Sequence, residues 1–186
     1  FLAGQQESLE DAVQTAVKME AERQNAVGVA VGVLIDGKIA FYSCSGYQDQ
    51  EAQIPVSRST MFRWASISKS LTAVAAMQLW ERGKLDLERE ARRYVPEFPD
   101  KGAPIRVRHL LCHQGGIVHY TNGSVVVTLR WYENPNPFKS VLLALDTFKH
   151  SPVVNAPGEK YAYTTHGFIL LSAAVERAGK QKCALQ

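Results

Sequence analysis

The alternation of apolar and polar residues predicts a helix and a hairpin at the beginning of the chain. Residues 7–24 carry apolar side chains at helical spacing among Glu, Gln and Lys, which indicates a helix with a polar outer face. Residues 28–35 are apolar and rich in valine, and Asp36-Gly37 is typical of a two-residue hairpin turn. Residues 38–45 therefore form a second, antiparallel strand.

One strongly apolar helix is predicted in the middle of the chain. Residues 66–82 are apolar on nearly every side, and Gly83 fits the position just after a helix C-terminus. This pattern predicts a buried central helix. The polar segment 46–59 before it and the segment 85–99 after it predict irregular structure, the second with short turns.

The rest of the chain predicts mostly helix. Three further helices are expected over 107–113, 140–149 and 166–178. Gly115-Gly116 ends the first of them and Gly179 the last, while residues 122–137 fit either a strand or a buried helix. One hairpin followed by mostly helix predicts an α+β fold whose sheet is too small to stand alone.

Composition narrows the class of protein. A chain of 186 residues that is 46% hydrophobic can bury one sizeable core. The net charge of +3 comes from 21 basic and 18 acidic residues spread along the sequence, so no nucleic-acid partner is expected. Cys44, Cys112 and Cys183 have no CxxC spacing, and neither a disulfide framework nor a thiolate metal site is favoured.

The tetrapeptide Ser66-Ile67-Ser68-Lys69 is the first candidate for catalytic chemistry. Three residues apart on a helix, Ser66 and Lys69 project from one face, so a lysine base lies within reach of a serine nucleophile. Unpaired N–H groups at the helix N-terminus would favour an acyl oxyanion, and the apolar helix would supply the burial that makes an ammonium acidic. The alternative is that Ser66 is an ordinary N-cap and Lys69 a solvated first-turn residue.

Tyr163 is the second candidate. It follows the turn Pro157-Gly158-Glu159 and precedes the last predicted helix. A phenol beside a lysine can relay a proton between a serine and a leaving group. The alternative is that Tyr163 only packs in its loop.

Several segments together resemble a known superfamily. They are Ser66 to Lys69, Gly83 to Leu87, Tyr94 to Pro99, His109 to Ile117, and Pro157 to Tyr163. With these motifs the chain resembles the serine β-lactamase-like and penicillin-binding-protein superfamily, in its class C β-lactamase branch of peptidases and esterases. Gly116 to Tyr120 resembles a mitochondrial branch of that superfamily.

The resemblance implies a β-lactamase/transpeptidase-like fold, with an antiparallel sheet flanked by helices and a mostly helical region. It implies that Ser66 is acylated, that Lys69 is its base and that Tyr163 assists proton transfer, with no cofactor. The second motif of the family is normally Tyr-x-Asn. Here its third position is Thr165, a substrate-binding candidate that keeps a hydroxyl and loses the amide.

A third motif of the family, Lys-Thr-Gly or His-x-Gly on a later strand, has no counterpart, because Lys180-Gln181-Lys182 is not followed by glycine. The chain is therefore expected to be the N-terminal portion of a single catalytic domain, partnered by a C-terminal segment of the same protein with further strands. Its expected parts are a helix and hairpin over 1–60, a mainly helical region over 61–165, and a helix returning to the sheet over 166–186.

The preferred hypothesis is a serine hydrolase that forms an acyl-enzyme on an amide or ester, with a small-molecule or peptide substrate. Alternatives are a catalytically weak scaffold that assembles as a homo-oligomer, and a penicillin-binding sensor. His109, His113 and His119 also suggest zinc, but no carboxylate or thiolate is placed to complete the site except Cys112, which points elsewhere on a helix, so no metal is predicted. A mitochondrial location follows from the resemblance, with the bacterial periplasm or secretion as alternatives.

Overall fold

A computed structural model describes residues 8–125 and 139–182. The chain divides into two compact units, Phe1–Arg63 and Trp64–Gln186. Cys183, for which neither a disulfide nor a metal site was favoured, lies outside the described residues. So does most of the segment 122–137, which fitted either a strand or a buried helix. None of the helices in the described ranges is long and apolar enough for a membrane span.

The first unit contains one helix and a small antiparallel sheet. Its elements are α1 (Leu9–Arg23), β1 (Gly28–Ile35), β2 (Lys38–Asp49) and β3 (Ile54–Pro55), with the strands in the order β1-β2-β3. Asp36 and Gly37 both have positive φ, at 49° and 75°, as the tightest hairpin turn requires. The predicted helix and hairpin are therefore confirmed.

The sheet extends further than the sequence predicts. β2 continues to Asp49 and β3 adds a short edge, so the prediction of irregular structure over 46–59 was wrong in part. The Ala52 N–H donates to Asp49 Oδ1 at 2.9 Å and closes the turn that returns the chain. Pro55 is tolerated because an edge strand does not need every ladder donor.

The second unit is helical. Its helices are α2 (Ile67–Glu81), α3 (Val107–Leu111), α4 (Val141–Leu145) and α5 (Thr165–Gly179), with a 3₁₀ helix at Ala91–Arg93. Their apolar faces meet in one core. Its most deeply buried large side chains are Leu85, Phe98, Leu110, Leu145, Phe148, Leu170 and Leu171.

Helix α2 ends as predicted, but it is not buried on every side. The Lys84 N–H donates to the Leu79 carbonyl and the Gly83 N–H to that of Trp80, both at 2.8 Å, with Gly83 at φ +67°, which is a Schellman motif. Only Thr72, Ala76 and Leu79 are buried. The prediction of a buried central helix was therefore wrong in part, because in the described structure only one face of α2 enters the core.

The shorter helices stop earlier than predicted. α3 ends at Leu111, because His113 turns into the left-handed region with φ 55°. α4 ends at Leu145 and gives way to turns, in which the Thr147 hydroxyl donates to the Ala144 carbonyl at 2.7 Å. The longer helix α5 ends at Gly179 as predicted, and Lys180 after it takes the left-handed conformation with φ 54°.

Candidate active site

The serine, lysine and tyrosine singled out in the sequence meet at the N-terminus of α2. Lys69 Nζ donates to Ser66 Oγ at 3.1 Å. Ser66 Oγ also lies 2.7 Å from the Tyr163 hydroxyl oxygen, although 97 positions separate the two residues. The spacing of Ser66 and Lys69 follows from one helical turn, whereas Tyr163 is brought to them by packing of the whole unit.

The hydroxyl of Ser66 does not cap its helix. Ser66 has helical φ and ψ of −68° and −13°, and its side chain makes no capping hydrogen bond. Ala65 before it has φ 45°, a left-handed conformation that costs a residue with a side chain roughly 1–2 kcal/mol. The ordinary N-cap alternative is therefore wrong, and Ser66 Oγ is hydrogen-bonded to Lys69 and Tyr163 instead.

The first turn of α2 uses its N–H groups internally. Those of Ile67, Ser68 and Lys69 donate to the carbonyls three residues earlier, at 3.0, 3.2 and 3.1 Å. The expectation of unpaired N–H groups is wrong for these three residues. The helix still presents its positive end to Ser66, because the peptide dipoles remain aligned.

Lys69 sets the electrostatic environment of Tyr163. Its Nζ lies 5.0 Å from the centre of the tyrosine ring. Hydrogen bonds from Lys69 first, then from Ser66, with a smaller one from Thr165, hold the pKa of Tyr163 below its ordinary value. A phenol with a lowered pKa gives up its proton more readily than a free phenol does.

Thr165 lies at the beginning of α5, next to the candidate catalytic tyrosine. Its half-buried side chain takes part in the hydrogen bonding of Tyr163, and its backbone N–H donates to His119 Nδ1 at 3.3 Å. The Tyr-x-Thr motif is thus part of the site. Its substrate-binding role stays a prediction.

Two histidines enclose Tyr163, a role that sequence reasoning missed. The His113 ring lies 4.5 Å from the tyrosine ring, centre to centre, and the His119 ring lies 5.5 Å away, edge-on. His113 Nδ1 accepts the Thr164 N–H at 3.2 Å. The motif containing His113 drew attention to that residue, but no pattern in the sequence paired either imidazole with a backbone N–H.

Asn122 is a second residue that the sequence did not indicate. Its Oδ1 accepts the backbone N–H of His119 at 2.7 Å, and its Nδ2 donates to the Tyr163 carbonyl at 3.4 Å. Asn122 therefore ties the histidine loop to the tyrosine loop. In the sequence Asn122 is notable only because Asn122-Gly123-Ser124 fits the common Asn-x-Ser/Thr pattern of a glycosylation acceptor.

The imidazole nitrogens considered for zinc have other partners. His109 Nδ1 accepts the Arg106 N–H at 3.3 Å, and the Nδ1 atoms of His113 and His119 accept from α5 as described. Cys112 is exposed. Across residues 8–125 and 139–182, no three His, Cys, Asp or Glu side chains are placed to hold a metal ion together.

The chain is similar to several known hydrolases and related proteins. The chain is 33% identical to the human "Serine beta-lactamase-like protein LACTB, mitochondrial", an alignment that covers 82% of the chain and 39% of that protein. It is 29% identical to "Esterase EstB" of Burkholderia gladioli, covering 94% of the chain and 48% of the esterase. Among solved structures it resembles "EstCE1, a hydrolase with promiscuous acyltransferase activity", with a TM-score of 0.73 and 25% identity over 91% of the chain and 47% of that protein.

The chain thus spans less than half the length of each of these relatives. The α+β fold of an antiparallel sheet with helices is the β-lactamase/transpeptidase-like fold predicted from the sequence. The sequence matches the family described as Beta-lactamase over residues 9–184. Because this match includes nearly the whole chain, the protein belongs to the Beta-lactamase family of hydrolases.

Proposed function

We propose that this chain carries the acylation centre of a serine hydrolase that acts on an amide or an ester. The observation that supports this most is the position of Ser66 Oγ, 3.1 Å from Lys69 Nζ and 2.7 Å from the Tyr163 hydroxyl. A serine becomes a nucleophile only when a neighbouring group takes its proton. Both candidate acceptors lie within hydrogen-bond distance.

The proposed reaction has two steps. Ser66 Oγ attacks the substrate carbonyl carbon, and its proton passes to the Lys69–Tyr163 pair. The same pair returns the proton to the leaving amine or alcohol as the bond to the carbonyl carbon breaks, which leaves an ester on Ser66. Water, deprotonated by the same pair, then releases the acid and restores the serine hydroxyl.

The relatives support an ester or amide substrate at the level of chemistry. Two of them are named as an esterase and as a hydrolase with acyltransferase activity. Both names describe transfer of an acyl group, which is what a serine beside a lysine and a phenol is suited to perform. A mitochondrial location is proposed from the human relative. The similarity to a bacterial esterase keeps the alternative of a bacterial protein that is periplasmic or secreted.

The test is covalent labelling of the purified chain with a fluorophosphonate, followed by intact mass measurement and peptide mapping. One adduct is expected, on Ser66, and Ser66→Ala should abolish it. Ser68→Ala is a matched control that removes a half-buried hydroxyl on the same helix and should leave the adduct unchanged. An adduct that persists in Ser66→Ala, or no adduct in the wild-type chain, would contradict the proposal.

A second mass measurement separates the hydrolase from the penicillin-binding sensor and the scaffold. Incubation with a penicillin and with simple esters, followed over time by mass, distinguishes turnover from a stable acyl-enzyme. Loss of the acyl mass within minutes supports the hydrolase, whereas an adduct that lasts for hours supports a penicillin-binding sensor. A folded chain that forms no adduct and assembles into oligomers would support the scaffold.

A further inference from the structure

We infer that His113 and His119 are positioning residues that hold Tyr163 against Ser66 only while both imidazoles are neutral. The inference rests on the proposed function, because it assigns these residues to the proton shuttle of that reaction. Protonation of either ring would release the beginning of α5 and move the phenol. The pair would thereby set the acid limit of acylation.

The geometry that carries the inference lies at the two residues after Tyr163. The Thr164 N–H donates to His113 Nδ1 at 3.2 Å, and the Thr165 N–H donates to His119 Nδ1 at 3.3 Å. These N–H groups belong to the N-terminus of α5, where helical N–H groups have no partner within the helix. Two imidazoles therefore perform the function that side-chain oxygens usually perform at a helix start.

The two rings also contact the tyrosine itself. The ring centre of His113 is 4.5 Å from that of Tyr163, and on its other side His113 packs 5.0 Å from Phe168 of α5. The backbone of His119 is held in turn by Asn122, whose Oδ1 accepts the His119 backbone N–H and whose Nδ2 donates to the Tyr163 carbonyl. The tyrosine is thus fixed through its ring, its carbonyl and the two residues that follow it.

Only neutral imidazoles can make these bonds. An Nδ1 that accepts an N–H carries no proton, and protonation turns the same atom into a donor facing another donor. A cation at the N-terminus of α5 would also oppose the helix dipole. Both effects act against protonation, and burial, with Lys69 as a further cause, holds the pKa of His113 and of His119 below the ordinary value.

The groups around each ring act in the same direction. His113 faces Tyr161 and Tyr163 before α5, Lys69 of α2, and His119. His119 faces Tyr120 and Tyr163, with His166 of α5 at 6.3 Å, and Lys69 also acts to lower its pKa. The named groups are phenols, imidazoles and the amino group of Lys69, and none of them is a carboxylate that would stabilise a protonated histidine.

The test is the pH profile of Ser66 labelling by a fluorophosphonate in three kinds of variant of the full chain. Replacement of a histidine by asparagine places an oxygen close to the position of Nδ1, and the amide does not titrate. Asparagine also tolerates the left-handed φ of residue 113. Replacement by phenylalanine keeps an aromatic ring and removes the nitrogen acceptor. His150→Asn changes an exposed histidine away from these contacts and serves as the matched control.

We expect the wild-type labelling rate to fall as the pH drops below about 6.5, the ordinary pKa of histidine. His119→Phe should lower labelling at least 10-fold at pH 7.5, and His119→Asn should recover most of that loss. The double variant His113→Asn/His119→Asn should flatten the acid limb, while His150→Asn should keep it. An acid limb that is unchanged in the double variant, or labelling in His119→Phe equal to wild type, would overturn the inference.

A second measurement keeps this result separate from the proposed function. Imidazole ¹⁵N chemical shifts report the tautomer, and both rings should carry the proton on Nε2 at pH 7.5, with the Thr164 and Thr165 amides shifting at the same midpoint on acidification. If Ser66 cannot be labelled but these shifts are found, the hydrolase proposal fails and the neutral double cap stands. If Ser66 is labelled but either ring carries Nδ1–H, the positioning role fails alone.

Discussion

Two hydroxyls at the beginnings of two helices show how the same local position serves different purposes. Ser66 stands at the start of α2 and Thr164 at the start of α5, and both helices contain 15 residues. Thr164 Oγ1 accepts the Gly167 N–H at 3.2 Å and donates to the Val118 carbonyl at 2.9 Å, and its side chain is only 1% exposed. Ser66 Oγ is exposed and bonds to Lys69 and Tyr163 instead.

The difference lies in what each hydroxyl is bonded to. The two bonds of Thr164 join backbone groups, so the hydroxyl contributes to the stability of the unit. The bonds of Ser66 join it to the side chains of Lys69 and Tyr163, so the hydroxyl contributes little to the helix, and under the proposed function these side chains exchange its proton. A helix start can therefore be stabilised or be used for chemistry, and under the proposed function the two tasks belong to different helices.

The largest effect is expected from a change at Lys69. This lysine donates a hydrogen bond to Ser66, and its removal tests the chemical role of that serine. Lys69→Met should lower the rate of Ser66 labelling roughly 10²–10⁴-fold, because it removes a group that manages the serine proton. The pKa of Tyr163 should rise toward about 10, because Lys69 is the first cause of its lowering. Ultraviolet titration of the phenol measures this shift.

The control for that experiment is Lys18→Met, which removes an exposed lysine of α1. It should change neither labelling nor the tyrosine titration. A Lys69→Met chain that labels at the wild-type rate would show that Tyr163 manages the proton without the lysine.

The next effect is the loss of stability at Thr164. Thr164→Val should reduce the free energy of unfolding by about 1–3 kcal/mol, because it leaves the Gly167 N–H without its side-chain acceptor and removes one of the two contacts of the buried Val118 carbonyl, the other being His166 Nδ1 at 2.8 Å. Thr164→Ser keeps the hydroxyl and should recover most of the loss. Urea denaturation measures both variants, and a stable Thr164→Val would contradict the structural role assigned to this hydroxyl.

Acidification should reduce the stability of the part of the molecule around α5, which contains Thr164. Burial is the first cause that lowers the pKa of His109, His113, His119 and His166. Groups with a folded pKa below the unfolded value of about 6.5 give stability that is fully present above that pH. This stability is lost as the pH falls from about 6.5 through the folded pKa values.

Urea midpoints should therefore fall as the pH is lowered from 7.5 to 5.5. His150→Asn should show the same decrease as the wild-type chain, since His150 is exposed. A midpoint that stays constant or rises over this range would contradict the neutral state of these buried rings.

The smallest effect is the counterpart of the Thr164 result. Ser66→Ala should change the free energy of unfolding by no more than about 0.5 kcal/mol, as is usual for an exposed position without a cap bond. The same variant abolishes labelling under the proposed function. A loss comparable to that of Thr164→Val would mean that Ser66 also stabilises its helix.

Part of the fold and of the site could be predicted from short-range patterns. The Asp36-Gly37 turn specifies the hairpin, and Gly83 specifies the end of α2, because each conformation depends on neighbouring residues. Ser66 and Lys69 share a helix face by their spacing. β3 was missed, because a strand of two residues has no periodicity to detect.

The histidines show the limit of such patterns. A sequence places imidazoles in a motif but does not tell whether a nitrogen meets a metal ion or an N–H group. His113 and His119 were considered together for zinc, and the structure instead turns their Nδ1 atoms toward Thr164 and Thr165. These bonds link positions 51 and 46 residues apart, which no local spacing encodes.

By itself the sequence determined the helix and hairpin at the beginning of the chain, the helix that carries Ser66 and Lys69, and the family to which the motifs belong. These features depend on periodicity and on contacts within one or two turns. Only the tertiary structure decided that Tyr163 meets Ser66, that the Ser66 hydroxyl is left uncapped while that of Thr164 is bonded, and that two imidazoles cap α5. Those outcomes depend on packing between segments distant in the chain, and it is packing that selects the partner of each polar atom.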